Sequence, residues 1–170
     1  MIFITVGIHE QPFNRLVKKV DELAYEFPTQ EIFMQTGYST YVPRNVRYSA
    51  FLSPEEMDRK IENSEIIITH GGPASFMNVV GLGKVPIVVP RQKKFDEHVN
   101  DHQVTFSRAI EEKYNNIIVV EEINKLESIL CSYKNIVAKK NKKLNGHNQE
   151  FNSAFANEID KLMEIKRKDK

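Results

Sequence analysis

Two kinds of hydrophobic pattern alternate along the chain. Short unbroken apolar runs stand at 2–6 (IFITV), 31–37 (EIFMQTG), 65–69 (EIIIT), 85–90 (VPIVVP) and 116–120 (NIIVV), with a weaker one at 46–51 (VRYSAF). Such runs, bounded by polar and turn residues, predict strands buried on both faces. Between them apolar residues recur at helical spacing. In PFNRLVKKVDELAYEF (12–27), Phe13, Leu16, Val17, Val20, Leu23, Ala24 and Phe27 share one helical face. SPEEMDRKIENS (53–64) offers Ser53 as N-cap, Pro54 at the first helical position and Glu56 three residues past the cap, the signature of a capping box. Further helices are predicted over 74–83, 96–112 and 122–133. This alternation implies an α/β fold, a Rossmann-like parallel sheet with helices on both faces. In such sheets ligands bind at the carboxyl ends of strands, beside helix N-termini. Function is therefore expected just after Val6, Thr69 and Val89.

The chemistry at those strand ends is suggestive. After EIIIT the chain turns through His70, Gly71, Gly72 and Pro73 into a helix that carries Ser75 on its first turn. Glycines permit close backbone approach, and a helix N-terminus presents N–H donors and partial positive charge, so the turn fits a phosphate cradle as well as an ordinary βα turn. The first strand ends likewise in TVGIHEQPF, with Gly7 and His9 before a helix. The third strand end, VPRQKKFDEHVNDHQ, places the positive charge of Arg91, Lys93 and Lys94 at the same rim, followed by Glu97, His98, Asp101, His102 and Gln103 on the first turns of a helix. Those polar groups suit hydrogen bonds to a base and ribose. His98 and His102, four apart, would share a helical face and could join Glu97 or Asp101 around zinc. Neither G-x-x-x-x-G-K-[ST] nor G-x-G-x-x-G occurs, which disfavours a Walker loop and a nicotinamide or flavin site.

Composition narrows the picture. The 170 residues suit one domain, and a net charge of +1 argues against a nucleic-acid partner. Residues 1–140 read as the folded domain. Residues 141–170 read as a basic, helical C-terminal tail in which Phe151, Phe155, Ile159, Leu162 and Met163 recur at helical spacing; it would pack on the domain, dock a partner or lie on an anionic membrane. The lone cysteine, Cys131, excludes an internal disulfide and reads as a small buried apolar residue. The opening MIFITVG lacks a basic n-region and no apolar run is long enough to span a bilayer, so a cytoplasmic protein with peripheral membrane contact is expected.

The segments TVGIHEQPFNRL, IFMQTGYS and THGGPASFMNVVGLGKVPIVVPRQKKFDEHVNDHQ resemble the small glycosyltransferase subunits of bacterial capsule and exopolysaccharide synthesis. These are similar to the catalytic subunit of the eukaryotic two-component dolichol-linked N-acetylglucosaminyltransferase and to the C-terminal half of the peptidoglycan lipid-linked N-acetylglucosaminyltransferase, the glycosyltransferase family 28 C-terminal domain. The resemblance covers about residues 1–130. It implies the donor half of a GT-B fold, a UDP-sugar donor, and inverting transfer without a metal or other cofactor. It also implies a membrane-anchored partner subunit that brings a lipid-linked saccharide acceptor. Among such subunits the sequence looks most like capsular β-1,4-galactosyltransferases. Carried over by motif, Gly7 and His9 would face the donor diphosphate, and His70, Gly71, Gly72 and Ser75 the diphosphate and sugar. Arg91 and Gln92 would bind the donor from the rim after the next strand, Arg91 stabilising the departing diphosphate, and Glu97, His98, His102 and Gln103 would lie near the nucleotide and sugar. Asn78 stands where relatives often carry an acidic ribose ligand. By chemistry His9, Glu10 and His98 are candidate bases, with the partner chain as the other source. A nucleotide-binding subunit that leaves catalysis to its partner is the alternative function.

Overall fold

The computed structural model describes residues 1–141. The tail expected over 141–170 lies, from residue 142 onward, outside them. Six parallel strands form one sheet: β1 (Ile2–Thr5), β2 (Ile32–Gln35), β3 (Arg47–Ser49), β4 (Ile66–His70), β5 (Ile87–Val89) and β6 (Ile118–Val119), in the spatial order β3-β2-β1-β4-β5-β6. The helices are α1 (Asn14–Leu23), α2 (Pro54–Asn63), α3 (Pro73–Gly81), α4 (His102–Tyr114) and α5 (Leu126–Val137).

The side-chain alternation within each strand sorts the core into two layers. Ile2, Ile4, Met34, Ile68, Ile87 and Val89 face α1 and α5, where they meet Leu16, Val17, Val20, Leu126 and Leu130. Phe3 and Ile67 face Ile61 of α2 and Val79 of α3. Val88 meets Phe76 and Val80 of α3 and Phe106 and Ile110 of α4. Both faces are thus covered, as continuous apolar strands require. The Tyr133 hydroxyl donates to Val85 O at 2.7 Å and fastens α5 beneath the start of β5.

Several local expectations are met in detail. Ser53 and Glu56 close a reciprocal capping box, at 2.9 and 3.2 Å, with Pro54 following the cap. Three others are corrected. The first helix ends at Leu23 rather than Phe27; Pro28 biases Phe27 away from helical ψ, and Phe27 packs on the core from a turn. The fourth helix begins at His102 rather than Asp96. A 3₁₀ turn at Lys93–Phe95 runs into a left-handed Asp96 (φ 56°), and Glu97 turns inward. Cys131 is exposed, because α5 buries Leu126, Leu130 and Tyr133, a face that excludes position 131.

Strand order places β1, β4 and β5 side by side at the centre. The order reverses between β1 and β4, the switch point where doubly wound sheets open a crevice at their carboxyl edge. Register pairs Thr5 with Thr69 and His70 with Val89, so the three motif-bearing loops leave the sheet as neighbours.

Candidate active site

The end of β1 is held open by side chains from its neighbours. Gln35 accepts from Thr5 Oγ1 at 2.7 Å and donates through Nε2 to Gly7 O at 3.1 Å and Ala50 O at 2.8 Å, lacing the ends of β1, β2 and β3 together. Gly7 then takes φ 76°, a conformation that favours glycine, and turns the chain toward β4.

His70, the last residue of β4, fills the space this turn leaves. A Cβ on Gly7 would stand 2.5 Å from its Cε1, and a Cβ on Gly72 would stand 2.3 Å from its Nε2. The imidazole is therefore lodged between two glycines, and both lack a side chain in part to admit it. Burial, reinforced by the Arg91 charge, pushes the His70 pKa down to about 4. The ring is neutral at pH 7, with one nitrogen a donor and the other an acceptor. Its Nδ1 is buried and has no hydrogen-bond partner. Next to it, α3 starts at Pro73 after Gly72, with no side chain capping its N-terminus. Ser75 is half-buried on that first turn. A buried neutral donor/acceptor, two glycine backbones and an uncapped helix end have the chemistry to receive an anion's oxygen atoms.

Three more histidines gather beside it. His9 and His98 have ring centroids 4.6 Å apart, and His98 and His102 4.4 Å. His98 is thus brought to His102 from a loop, not from the shared helical face expected of the sequence. Its pKa is lowered to about 4, by burial first and then by His102, His9 and Arg91. Nδ1 of His9 accepts from Gln11 N at 3.2 Å, and His102 Nδ1 is in close contact with Asn100 Oδ1. The carboxylates once paired with these rings as zinc ligands are engaged elsewhere. Glu97 binds Arg15, and Asp101 accepts from Lys93 N at 2.8 Å. Among the described residues no group of three or more His, Cys, Asp or Glu is arranged to hold a metal.

Several positions expected at the rim lie beneath it. Arg91 is fully buried; its NH1 donates to Gln11 O (2.6 Å) and Glu97 O (3.2 Å), its NH2 donates to Val6 O (2.9 Å), and the guanidinium stacks over Phe13. Burial lowers its pKa to about 10, which leaves it charged at neutral pH. Gln92 is buried, with Nε2 donating to Glu121 O at 2.7 Å. Glu97 is buried against Arg15 at 2.8 Å. Gln103 is buried, and its Oε1 accepts from Arg91 N at 3.1 Å. These side chains face protein partners, and the left-handed turn at Asp96 precedes the buried Glu97. Asn78 is exposed but donates to Asp58 on α2 at 3.2 Å. The structure therefore brings Gly7, His9, His70, Gly72, Ser75, His98 and His102 to the carboxyl edge, packs Gly71 behind His70 against Gln103 and Pro90, and places the others behind or beside them.

The glycosyltransferase family 28 C-terminal domain pattern matches residues 1–163. This chain belongs to that family. No curated protein matches the sequence. The fold of the family 28 domain is similar to that of the crystallised kitacinnamycin glycotransferase (TM-score 0.55, 13% identity, 82% of this chain and 35% of that one). It is also similar to the spinosyn forosaminyltransferase SpnP (0.56, 14%, 81% and 35%) and to MurG of Acinetobacter baumannii (0.53, 16%, 79% and 41%). The family 28 domain thus has the Rossmann-like fold of a GT-B C-terminal domain, and it spans well under half the length of each of those proteins.

One pair at the edge of this family 28 domain went unread in its sequence. Tyr38 and Phe51, just past the ends of β2 and β3, are half-exposed and meet edge to face at 5.2 Å. Gly37 between them and the β1 loop has φ 52°, and a Cβ there would stand 2.5 Å from Gly7 O, so the aromatic pair adjoins the glycine turn. The signal was present in TGYS and SAFL, where bulky aromatics follow strand ends, but only the folded sheet brings them together.

Proposed function

We propose that this chain is the donor-binding half of a two-part glycosyltransferase: it binds a UDP-sugar at the carboxyl edge of its sheet and passes the sugar to a lipid-linked saccharide acceptor. The acceptor is brought by a membrane-anchored partner subunit, and galactose transfer in capsule or exopolysaccharide synthesis is the favoured version. The observation that carries this reading is the neutral His70 lodged between Gly7 and Gly72 beside the uncapped start of α3. Among the described residues no helix is long and apolar enough to cross a membrane.

In this reaction the bond from the sugar C1 to the diphosphate oxygen breaks, C1 bonds to the acceptor oxygen with inversion, and the acceptor proton passes to a base. The diphosphate gains negative charge as it leaves. Preorganised N–H groups at the α3 N-terminus, and the donor nitrogen of His70, stabilise that charge. His70 acts as a neutral hydrogen-bonding group. His98, with its pKa pushed to about 4, is a poor proton acceptor at neutral pH and serves instead to hold the neighbouring His9 ring in place. The base is then His9, the exposed Glu10 or a group of the partner. Tyr38 and Phe51 offer an aromatic surface for the uracil ring.

The test is a panel of UDP-sugars incubated with partner-containing membranes and lipid-linked acceptor. The reading requires UDP release coupled to sugar transfer, loss of transfer in His70→Ala, and persistence in excess EDTA. UDP binding without any transfer in the complete system supports instead the subunit that leaves catalysis to its partner. No UDP binding refutes both.

A further inference from the structure

Among the described residues Arg91 is the bulkiest of the fully buried side chains, and none of their carboxylates bonds to it directly. The hydrogen-bond acceptors that meet its guanidinium are all carbonyl oxygens, and its Nε is buried without a partner. A cation buried this way is costly, and packing alone would favour an apolar residue. What the planar fork supplies is geometry. Two of its contacts, Val6 O and Gln11 O, belong to the segment after β1; the third, Glu97 O, belongs to the loop after β5. Arg15 fastens the same two segments from the first turn of α1. Its Nε and NH2 each reach the Glu97 carboxylate at 2.8 Å, and NH2 also donates to Pro90 O at 3.0 Å. Glu97 Oε2 accepts from Gln92 N at 3.1 Å as well. His9 lies within the first gripped segment and His98 directly follows Glu97.

We propose that Arg91 and the Arg15–Glu97 pair are positioning residues that lock the β1–α1 and β5–α4 loops in one register and so set His9 against His98. The locking stands on geometry alone; its effect on turnover rests on the donor-binding reading above. Neither guanidinium grips the Gly71–Ser75 turn, so loosening the clamp leaves diphosphate binding in place and disturbs the transfer step.

The experiment follows the histidine ring signals of the full chain by long-range ¹H–¹⁵N NMR in Arg91→Lys, Arg15→Met and Glu97→Gln. Leu130→Ala, a remote core truncation, serves as the control for simple destabilisation. The ring signals of His9 and His98 shift or broaden in the three clamp variants and stay in place in Leu130→Ala, although the control loses thermal stability. By calorimetry UDP affinity changes by less than about threefold in the clamp variants. With partner and acceptor present, kcat of Arg91→Lys falls on the order of tenfold to a hundredfold at nearly constant KM, the size of effect that misplacement alone produces. Unmoved ring signals in Arg15→Met and Glu97→Gln overturn the proposal, and those two variants decide it even if Arg91→Lys fails to fold. Full kcat in Arg91→Lys also overturns it, since lysine keeps the charge and loses the fork. If wild-type chain binds no UDP, the donor-binding reading fails while the ring signals still test the clamp.

Discussion

Gly72→Ala is a small change with an outcome that depends on one neighbour. The backbone at Gly72 (φ −71°, ψ 123°) accepts any residue, so the substitution carries no conformational penalty. Its new methyl would stand 2.3 Å from His70 Nε2, 2.9 Å from Cδ2 and 3.2 Å from Cε1. Ordinary contact lies near 3.5–4.0 Å, so the ring must retreat by about 1 Å. It has little room to do so, because the Gly7 backbone bounds its other side. Overpacking of this kind costs about 1–3 kcal/mol. In a His70→Ala background the clash is gone. What remains is a gain of roughly 0.4–1 kcal/mol from a less flexible unfolded chain, offset by alanine's poorer fit as a helix N-cap. Gly72→Ala should then be close to neutral. A four-protein cycle read by urea unfolding should therefore give a coupling of about 1–3 kcal/mol between the two positions. Equal costs in both backgrounds would refute the claim that the glycine exists to admit the imidazole. If the glycine serves only the approach of a diphosphate, Gly72→Ala leaves stability intact and weakens UDP binding alone, which the same proteins reveal by calorimetry.

Three further outcomes follow from the geometry. The folded His70 has its pKa near 4 against an ordinary 6.5, so the unfolded chain takes up a proton first as pH falls; stability is present above about pH 6.5 and lost progressively down to pH 4, by about 3 kcal/mol at most, with His98 adding a smaller share of the same sign. Urea midpoints across this window should show the slope in wild type and a flatter one in His70→Gln. Gln35→Ala strips bonds from Thr5, Gly7 and Ala50, should cost about 1–3 kcal/mol and should weaken UDP binding through the loosened Gly7 turn; unchanged thermal unfolding would contradict the lacing role. Tyr38→Ala or Phe51→Ala should lower UDP affinity by about 1–3 kcal/mol while leaving pyrophosphate affinity alone, and equal losses for both ligands would argue against a base-stacking surface.

The sheet and the three motif loops were legible in the sequence because both rest on local rules. Buried strands leave unbroken apolar runs, a capping box leaves Ser53 and Glu56, and glycine turns leave THGG. What escaped was set by contacts distant in sequence. Arg91 reads as a surface cation beside Lys93 and Lys94, yet its partners Val6 and Gln11 lie 85 and 80 positions away, and they draw it under the rim. The segment 96–101 has polar residues suited to a helix, but the ion pair of Glu97 with Arg15, 82 positions away, turns it inward and delays α4 to His102. Cys131 sits among apolar neighbours, and only the orientation of α5 on the sheet decides that it faces solvent. The sequence pairs only His98 with His102; that the rings of His9, His98 and His102 lie in a row depends on a loop the helical pattern concealed.

A crystal structure of the chain with UDP tests the central claim most directly. The account predicts the diphosphate at the start of α3, its oxygens within hydrogen-bond reach of His70 or the Gly71, Gly72 and Ala74 amides, with the uracil toward Tyr38 and Phe51. A diphosphate bound away from that turn, with the His70 pocket untouched, would contradict it.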